Sequence, residues 1–277
     1  MLHRLRQEWA WLRNLFRDPS PPPRASKRGG RRNGWMALWV LLLSVAFVLV
    51  QVQLGSRRDF RAWFGEAVSP ESLELWSWGW WFGVQGVTGF VLPVLVLLFV
   101  FKKRPSEIGL GLGDWKLASA VSAAYMVLVV IGTWVLSDGA DFQAEYPRIP
   151  AALADWRVFW TYHLLFLFYW LGWEYLWRGF VLFGTAPALG PVLAVAAQTV
   201  PFAILHADKP VAEAWLSVVG GVALGLLVWR CRSFWIAVPL HAAQMIAIDL
   251  FCTLRQRTGA SGLGPDALAQ ALSGLFG

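Results

Sequence analysis

Glu174 and Arg178 lie four residues apart inside the long apolar stretch 158–183. At this spacing, two side chains share one face of a helix. An ionised side chain at the centre of a membrane costs at least about 2.5 kcal/mol, so such groups usually face the protein interior and serve a function. The pair is therefore the first candidate for catalysis, although an ion pair of this kind can also simply stabilise its helix.

Two later apolar runs are also interrupted by polar residues. His206 ends one of them, and Glu213 follows it after a Lys-Pro turn. His241, Gln244 and Asp249 lie within the last run. Such residue types in apolar segments predict a polar site inside the membrane.

The spacing around Gly190 predicts which of these residues meet. Glu174 lies 16 residues before Gly190 and His206 lies 16 residues after it. In a helical hairpin that turns at Gly190 they come to the same depth, because both helices rise by about 1.5 Å per residue. A carboxylate facing an imidazole is an acid/base pair that can activate water, and His241 would stabilise the oxyanion. Considered alone, a histidine near the end of a span such as His206 is more often an interfacial residue than a catalyst, and His163 is interpreted as interfacial.

The composition indicates an all-α, polytopic transmembrane bundle. Of the 277 residues, 57% are hydrophobic and 15% are charged, against roughly 25% charged in soluble domains. The 19 Trp and 18 Phe residues are of the kinds found at membrane interfaces and in packed bundles. Cys231 and Cys252 have no metal-ligand or disulfide-framework spacing, so structural zinc is not predicted.

About seven spans are predicted, with eight possible, each near the roughly 20 residues that cross a bilayer. They are residues 35–54, 76–101, 117–136, 158–183, 191–206, 211–229 and 234–254. Residues 1–34 form a basic, amphipathic N-terminal extension, in which 1–17 has helical periodicity. Residues 35–254 form the transmembrane domain, with a core motif region at 158–250, and 255–277 form a C-terminal tail. The first apolar run is of span length, so it is predicted to stay as an anchor.

The positive charge predicts the orientation. Much of the net charge of +7 comes from arginines that precede the first span. Such a segment indicates a cytoplasmic N-terminus and contact with anionic lipid rather than nucleic acid. Arg57, Arg58 and Arg61 lie on the opposite side and count against this orientation.

Three elements in order resemble the CPBP family, which contains the CAAX prenyl endopeptidases and bacteriocin-processing membrane proteins. They are Glu174-xxx-Arg178-Gly, Phe202-xxx-His206 and His241, and the resemblance covers about residues 158–250. It implies a glutamate-type intramembrane endopeptidase without a catalytic metal or other cofactor. In such an enzyme a Glu and a His activate water while a His and an Asn hold the oxyanion. His206 matches the first histidine and His241 the second.

The chain departs from the family pattern at two positions. The family has two adjacent glutamates, the first usually catalytic, but that position is Trp173 here. The expected asparagine is replaced by Met245, and Gln244 lies about 100° away around the helix. Glu174 is then the remaining motif carboxylate.

Two further carboxylates could take part in a rewired site. Glu213 could approach His206 if the Lys-Pro turn folds back, and Asp249 could orient His241 from two turns away. Arg178 would fix Glu174 or bind a substrate carboxylate.

The sequence therefore predicts an endopeptidase that cleaves a membrane-associated or lipid-modified protein with Glu/His-activated water. It would be a multi-pass protein of the bacterial plasma (inner) membrane. The alternative is a pseudoprotease that acts as a membrane scaffold or as a partner-binding or immunity-type protein. A transporter would often have internal repeats, and none is found in the sequence. The oligomeric state is not predicted.

Overall fold

The computed structural model describes residues 2–17 and 27–276. These residues form helices and no strand, which confirms the all-α fold class. The helices are α1 (Leu2–Arg17), α2 (Lys27–Gln53), α3 (Arg57–Phe64), α4 (Pro70–Val100), α5 (Trp115–Leu136), α6 (Ala140–Glu145), α7 (Trp156–Glu174), α8 (Leu182–Leu189), α9 (Pro191–Ile204), α10 (Val211–Cys231), α11 (Ala237–Thr258) and α12 (Pro265–Ser273). A π-helical segment, Tyr175–Val181, joins α7 to α8.

Five of the described helices are long and apolar enough to cross a membrane, rather than the seven predicted. They are α2, α4, α5, α10 and α11. The predicted span 191–206 corresponds to α9, which has 14 residues and is about 21 Å long, less than the roughly 30 Å of hydrocarbon. The predicted span 158–183 lies in the helix that runs from α7 into α8, and its Trp, Tyr and His residues lower its hydropathy.

The continuous helix that runs from α7 into α8 lies at the centre of the bundle and explains how the bundle holds charged residues in its interior. Every residue from 172 to 186 is buried. Helix α7 packs against α4 and α11, α8 packs against α2, and α9 lies between α8 and α10. The protein, not lipid, therefore surrounds Glu174 and Arg178.

Helices α4 and α7 approach so closely that their crossing requires glycine. A Cβ atom on Gly172 would lie 2.2 Å from the carbonyl oxygen of Gln85, and one on Gly89 would lie 2.4 Å from that of Gly172. Both contacts are with backbone, which cannot move aside as a side chain can. The crossing thus fixes the helix that carries Glu174.

Replacing Gly172 with Ala should therefore destabilise the bundle by about 1–3 kcal/mol, the usual effect of overpacking a close contact. The measurement is thermal unfolding in detergent, with Gly79→Ala in α4 as the matched control. A Cβ atom at Gly79 meets nothing within 4 Å, so the control should unfold near the wild-type temperature. Equal unfolding temperatures for Gly172→Ala and wild type would contradict the close crossing.

The two predicted domain boundaries fall inside helices. Helix α2 begins at Lys27 rather than at residue 35, and α11 continues past residue 254 to Thr258. The helical periodicity at 1–17 is confirmed by α1, whose Glu8 accepts two hydrogen bonds from Arg230 in α10 at 2.7 and 2.8 Å.

Part of the predicted C-terminal tail belongs to the core. Arg255 is buried, and α12 packs its Ala271 against Leu254 of α11. The terminal helix therefore docks onto the transmembrane bundle.

Candidate active site

Glu174 ends α7 as a fully buried carboxylate with two charged or ionisable partners. Its Oε1 atom accepts a hydrogen bond from Arg178 Nη1 at 3.2 Å and lies 2.6 Å from His241 Nδ1. The second oxygen, Oε2, and Arg178 Nε have no hydrogen-bond partner among the residues that the structure describes. Unsatisfied polar atoms are rare in protein interiors, and they mark this pair as a functional candidate.

His241 projects from α11 and completes this cluster. An ionised carboxylate can only accept a hydrogen bond, so the short contact with Glu174 places a proton on His241 Nδ1. The ring also packs on Trp170, with ring centroids 4.2 Å apart. These two contacts fix the orientation of the imidazole and leave Nε2 as its proton acceptor.

His206 follows the C-terminal end of α9 and is held by its own backbone. Its Nδ1 atom lies 2.7 Å from the carbonyl oxygen of Phe202. Because a carbonyl oxygen only accepts, Nδ1 carries the proton and Nε2 is again the acceptor. The half-buried ring packs on Phe202, with ring centroids 4.5 Å apart.

The residue that contacts His206 from α7 is Trp173, not Glu174. The indole and imidazole centroids are 6.0 Å apart, and Trp173 is buried. Equal distances to Gly190 therefore predict the α7 partner of His206 to within one residue, which is about 100° around the helix. The imidazole bonded to Glu174 is that of His241.

Both histidines line a cavity of about 330 Å³ between α5, α9, α10 and α11. Most of its wall is apolar. The polar and charged side chains that line it include Tyr125, Tyr146, Arg178, His206, Glu213, His241 and Gln244. Leu216 and Val219 in α10 also line it and are exposed. The cavity therefore lies partly between α5 and α10, two helices that are long and apolar enough to cross a membrane.

Two tyrosines form hydrogen bonds with Glu213 and Gln244, the two remaining polar residues of the cavity wall that were predicted from the sequence. Tyr146 Oη donates to Glu213 Oε2 at 2.7 Å, and Tyr125 Oη donates to Gln244 Oε1 at 2.9 Å. Burial, and then the neighbouring Glu213 carboxylate, raise the pKa of Tyr146 well above its ordinary value, so this phenol remains a donor. Met245 also lines the cavity. The position of the expected asparagine thus faces the cavity, but a thioether cannot donate a hydrogen bond.

The hypothesis that Asp249 orients His241 is wrong, because Asp249 contacts a different histidine. Its Oδ2 atom lies 3.2 Å from Nε2 of His163, and both side chains are almost fully buried. The backbone N–H of Arg148 donates to Asp249 Oδ1 at 3.4 Å. His163 is therefore a buried residue and not the interfacial one predicted.

Tyr125 and Tyr146 were not predicted as parts of the site. The one local indication of Tyr125 is a tyrosine within the apolar run of α5. Trp170 lies four residues before Glu174, and this helical spacing places it beside the carboxylate.

No group of three or more His, Cys, Asp or Glu side chains that could hold a metal ion is present within the described residues. The chemical groups at the cavity include the imidazoles of His206 and His241, the Glu213 carboxylate and the Arg178 guanidinium, and the buried Glu174 carboxylate lies behind them in contact with His241 and Arg178. This set can move a proton and stabilise an anion.

Residues 155–246 match the model of the family described as Type II CAAX prenyl endopeptidase Rce1-like. This segment is about a third of the chain, and it contains Glu174, Arg178, His206 and His241 but not Asp249. The match confirms the resemblance found in the sequence, and the matched family is one of proteases. No curated protein and no solved structure matches the chain. Together with the five apolar helices, the match supports a multi-pass membrane protein that is similar to CAAX endopeptidases over residues 155–246.

Proposed function

We propose that this chain is an intramembrane endopeptidase in which Glu174 and His241 together activate the attacking water. The observation that carries the proposal is the 2.6 Å contact between His241 Nδ1 and Glu174 Oε1 at the wall of a cavity. A carboxylate that holds the Nδ1 proton leaves Nε2 free to act as a base, as in other hydrolases with a carboxylate–histidine pair. The Glu174–His241 pair would take the catalytic role of the glutamate that the resemblance implies at the position of Trp173.

The reaction needs only water and the peptide. His241 Nε2 takes a proton from water while the water oxygen bonds to the scissile carbonyl carbon, whose C=O electrons move onto oxygen. The tetrahedral oxyanion then re-forms the carbonyl and breaks the C–N bond. The His241 imidazolium gives its proton to the leaving nitrogen, so the products are a carboxyl group and an amine.

Two further residues support this step. Arg178 contacts Glu174 and also lines the cavity, where its positive charge stabilises the oxyanion. His206 offers Nε2 as an acceptor for the second hydrogen of the water, which positions the water for attack. His241 thus acts as the base in this proposal, and the oxyanion role passes to Arg178.

The substrate that we propose is a membrane-associated or lipid-modified protein. The matched family is described as a type II CAAX prenyl endopeptidase. For this chain, support comes from the apolar wall of the cavity and from its rim at Leu216 and Val219, which admits a chain from the bilayer. Glu213 lies on the same wall and would contact the bound peptide.

We also propose a cytoplasmic N-terminus in a bacterial plasma membrane, with anionic lipid at the basic N-terminal segment. Arg32 donates to the carbonyl oxygen of Phe101 at 3.1 Å, and Glu8 binds Arg230. The basic N-terminal segment, the end of α4 and the end of α10 therefore share one end of the bundle, as the positive-inside rule requires.

The test uses the purified protein in liposomes with a fluorogenic peptide that ends in a prenylated CAAX sequence. The wild type should cleave this peptide. His241→Gln should lower kcat on the order of 10³-fold because the base is lost, and His206→Gln about 10²-fold because the water is misplaced. If both variants cleave at the wild-type rate, the histidines have no part in the reaction.

A second candidate function, binding of a membrane partner without cleavage, is favoured by one observation. The indole of Trp173 packs on both Phe202 and His206, where the resemblance implies a catalytic carboxylate. A protein of this kind would bind peptides in the cavity and release them unchanged. It would show no turnover as wild type and would gain turnover when Trp173 is replaced by Glu.

A further inference from the structure

One hydrogen-bonded pair at the wall of the cavity has no part in the proposed catalysis. Tyr125 Oη in α5 donates to Gln244 Oε1 in α11 at 2.9 Å, and both side chains line the cavity. Because the hydroxyl group binds the oxygen of the amide, it orients the amide and leaves Gln244 Nε2 with both of its hydrogens. This nitrogen donates to no other residue that the structure describes. The pair therefore presents an oriented amide donor at the cavity.

A second glutamine shows how a structural amide is bound in this bundle. Gln198 in α9 is fully buried, and its Nε2 donates to Thr199 Oγ1 at 2.6 Å and to Gly221 O of α10 at 2.8 Å. Gln244, in contrast, is only partly buried, and its amide nitrogen is unpaired within the described chain. A donor in a mostly apolar wall is costly to leave unpaired. The position of Gln244 therefore favours a ligand that carries an acceptor.

The spacing of Gln244 from His241 indicates which acceptor this is. Gln244 lies three residues after His241, so the two side chains share one face of α11. They differ by about 4.5 Å along the helix axis, and consecutive residues of an extended peptide are about 3.3 Å apart. A peptide whose scissile carbonyl lies at His241 thus has another main-chain carbonyl, one or two residues away, within reach of Gln244.

We propose that Gln244 binds this neighbouring main-chain carbonyl of the substrate and that Tyr125 is the positioning residue that orients its amide. The proposal rests on the proposed function, because it takes the cavity as the site of the peptide. It differs from the oxyanion role of Arg178, since the carbonyl that Gln244 binds does not react. The contact fixes the register of the peptide against the Glu174–His241 pair. A main-chain carbonyl is present at every residue, so this contact holds a peptide without selecting its side chains.

Binding of a prenylated CAAX peptide to the full chain in nanodiscs tests the proposal, and empty nanodiscs correct for peptide that enters the lipid. The measurements use the Glu174→Gln background, in which cleavage is slow. Gln244→Met should raise Kd about fivefold to tenfold, the effect of one hydrogen bond. Tyr125→Phe should raise Kd about threefold, because the amide is no longer held in one orientation. Adding Tyr125→Phe to Gln244→Met should cause no further change, since Tyr125 acts through Gln244.

A thioamide scan of the peptide distinguishes this contact from a structural role of the pair. The sulfur of a thioamide is a weaker acceptor than the carbonyl oxygen that it replaces, and one substitution is made at each residue next to the scissile bond in turn. One such peptide should bind about fivefold more weakly than the parent peptide to the protein with Gln244. The Gln244→Met variant should bind these two peptides equally, which loss of bundle stability alone would not produce.

Tyr175→Phe and Gln53→Met are the matched controls. Tyr175 Oη is buried without a hydrogen-bond partner among the described residues, Gln53 is exposed at the end of α2, and neither residue lines the cavity. Both controls should keep the Kd of the parent protein. Absence of saturable binding, an unchanged Kd for Gln244→Met, or a thioamide effect that does not depend on Gln244 would each overturn the proposal, whatever the rate of cleavage. A Gln244-dependent thioamide effect in a protein that never cleaves would instead refute the protease function and keep the peptide contact.

Discussion

Replacing Glu174 with Gln should lower kcat for peptide cleavage by about 10³- to 10⁴-fold, the effect seen when the carboxylate of a histidine pair becomes an amide. Gln has the same shape but no charge, so it neither fixes the Nδ1 proton of His241 nor stabilises the imidazolium that forms during the reaction. KM should change little, because Glu174 is fully buried and is not among the side chains that line the cavity.

The matched control is Glu213→Gln, which changes a carboxylate on the cavity wall that binds only Tyr146 among the described side chains. We expect its kcat to fall less than tenfold. The tautomer of His241, measured by ¹⁵N NMR after histidine-selective labelling of the four histidines, distinguishes positioning from general damage. Glu174→Gln should shift the signals of His241 and leave those of His163 unchanged, and equal losses of kcat in the two variants would contradict the special role of Glu174.

Replacing Arg255 with Ala should destabilise the protein by about 3–5 kcal/mol, the usual effect of removing one partner from a buried ionic network. The guanidinium donates to Ser137 Oγ at 2.8 Å and to Asp138 Oδ1 at 2.9 Å. It also donates to the carbonyl oxygens of Trp134, Ala260 and Gly262. Its removal takes away five hydrogen bonds at once and with them the link between α11 and the segment that leads into α12.

Thermal unfolding in detergent measures this effect. Arg255→Lys should recover only part of the stability, because an ammonium group cannot reproduce the planar fork of donors. Arg157→Ala removes an exposed arginine and should change the free energy of unfolding by no more than about 0.5 kcal/mol. If Arg255→Ala unfolds at the wild-type temperature, the hydrogen-bond network of Arg255 contributes nothing to the stability of the protein.

The features that follow from local patterns could be predicted from the sequence. The helical class, the apolar helices of membrane-spanning length and the contact between Glu174 and Arg178 depend on composition and on helical spacing, and the structure has all three. The common depth of residues 173–174 and His206 follows from equal distances to Gly190. The rotation of α7 about its axis does not follow from those distances, which is why Trp173 and not Glu174 faces His206.

Contacts between distant segments could not be predicted in this way. Asp249 binds His163, which is 86 residues away, and Arg255 binds acceptors before and after it in the chain. Helical periodicity gives the face of a residue but not the helix that covers that face. Five described helices, rather than seven, have the length and hydropathy of a span, because α9 has only 14 residues and the helix from α7 into α8 contains polar residues.

The most direct test of the account is cleavage of a prenylated CAAX peptide in H₂¹⁸O by the purified wild-type protein in liposomes, compared with Trp173→Glu. The wild type should release a product whose new carboxyl group carries ¹⁸O, at a rate that Glu174→Gln lowers by about 10³- to 10⁴-fold. A wild type that binds the peptide without cleaving it, together with a Trp173→Glu variant that cleaves, would contradict the Glu174–His241 mechanism and identify a binding protein that has lost its catalytic carboxylate.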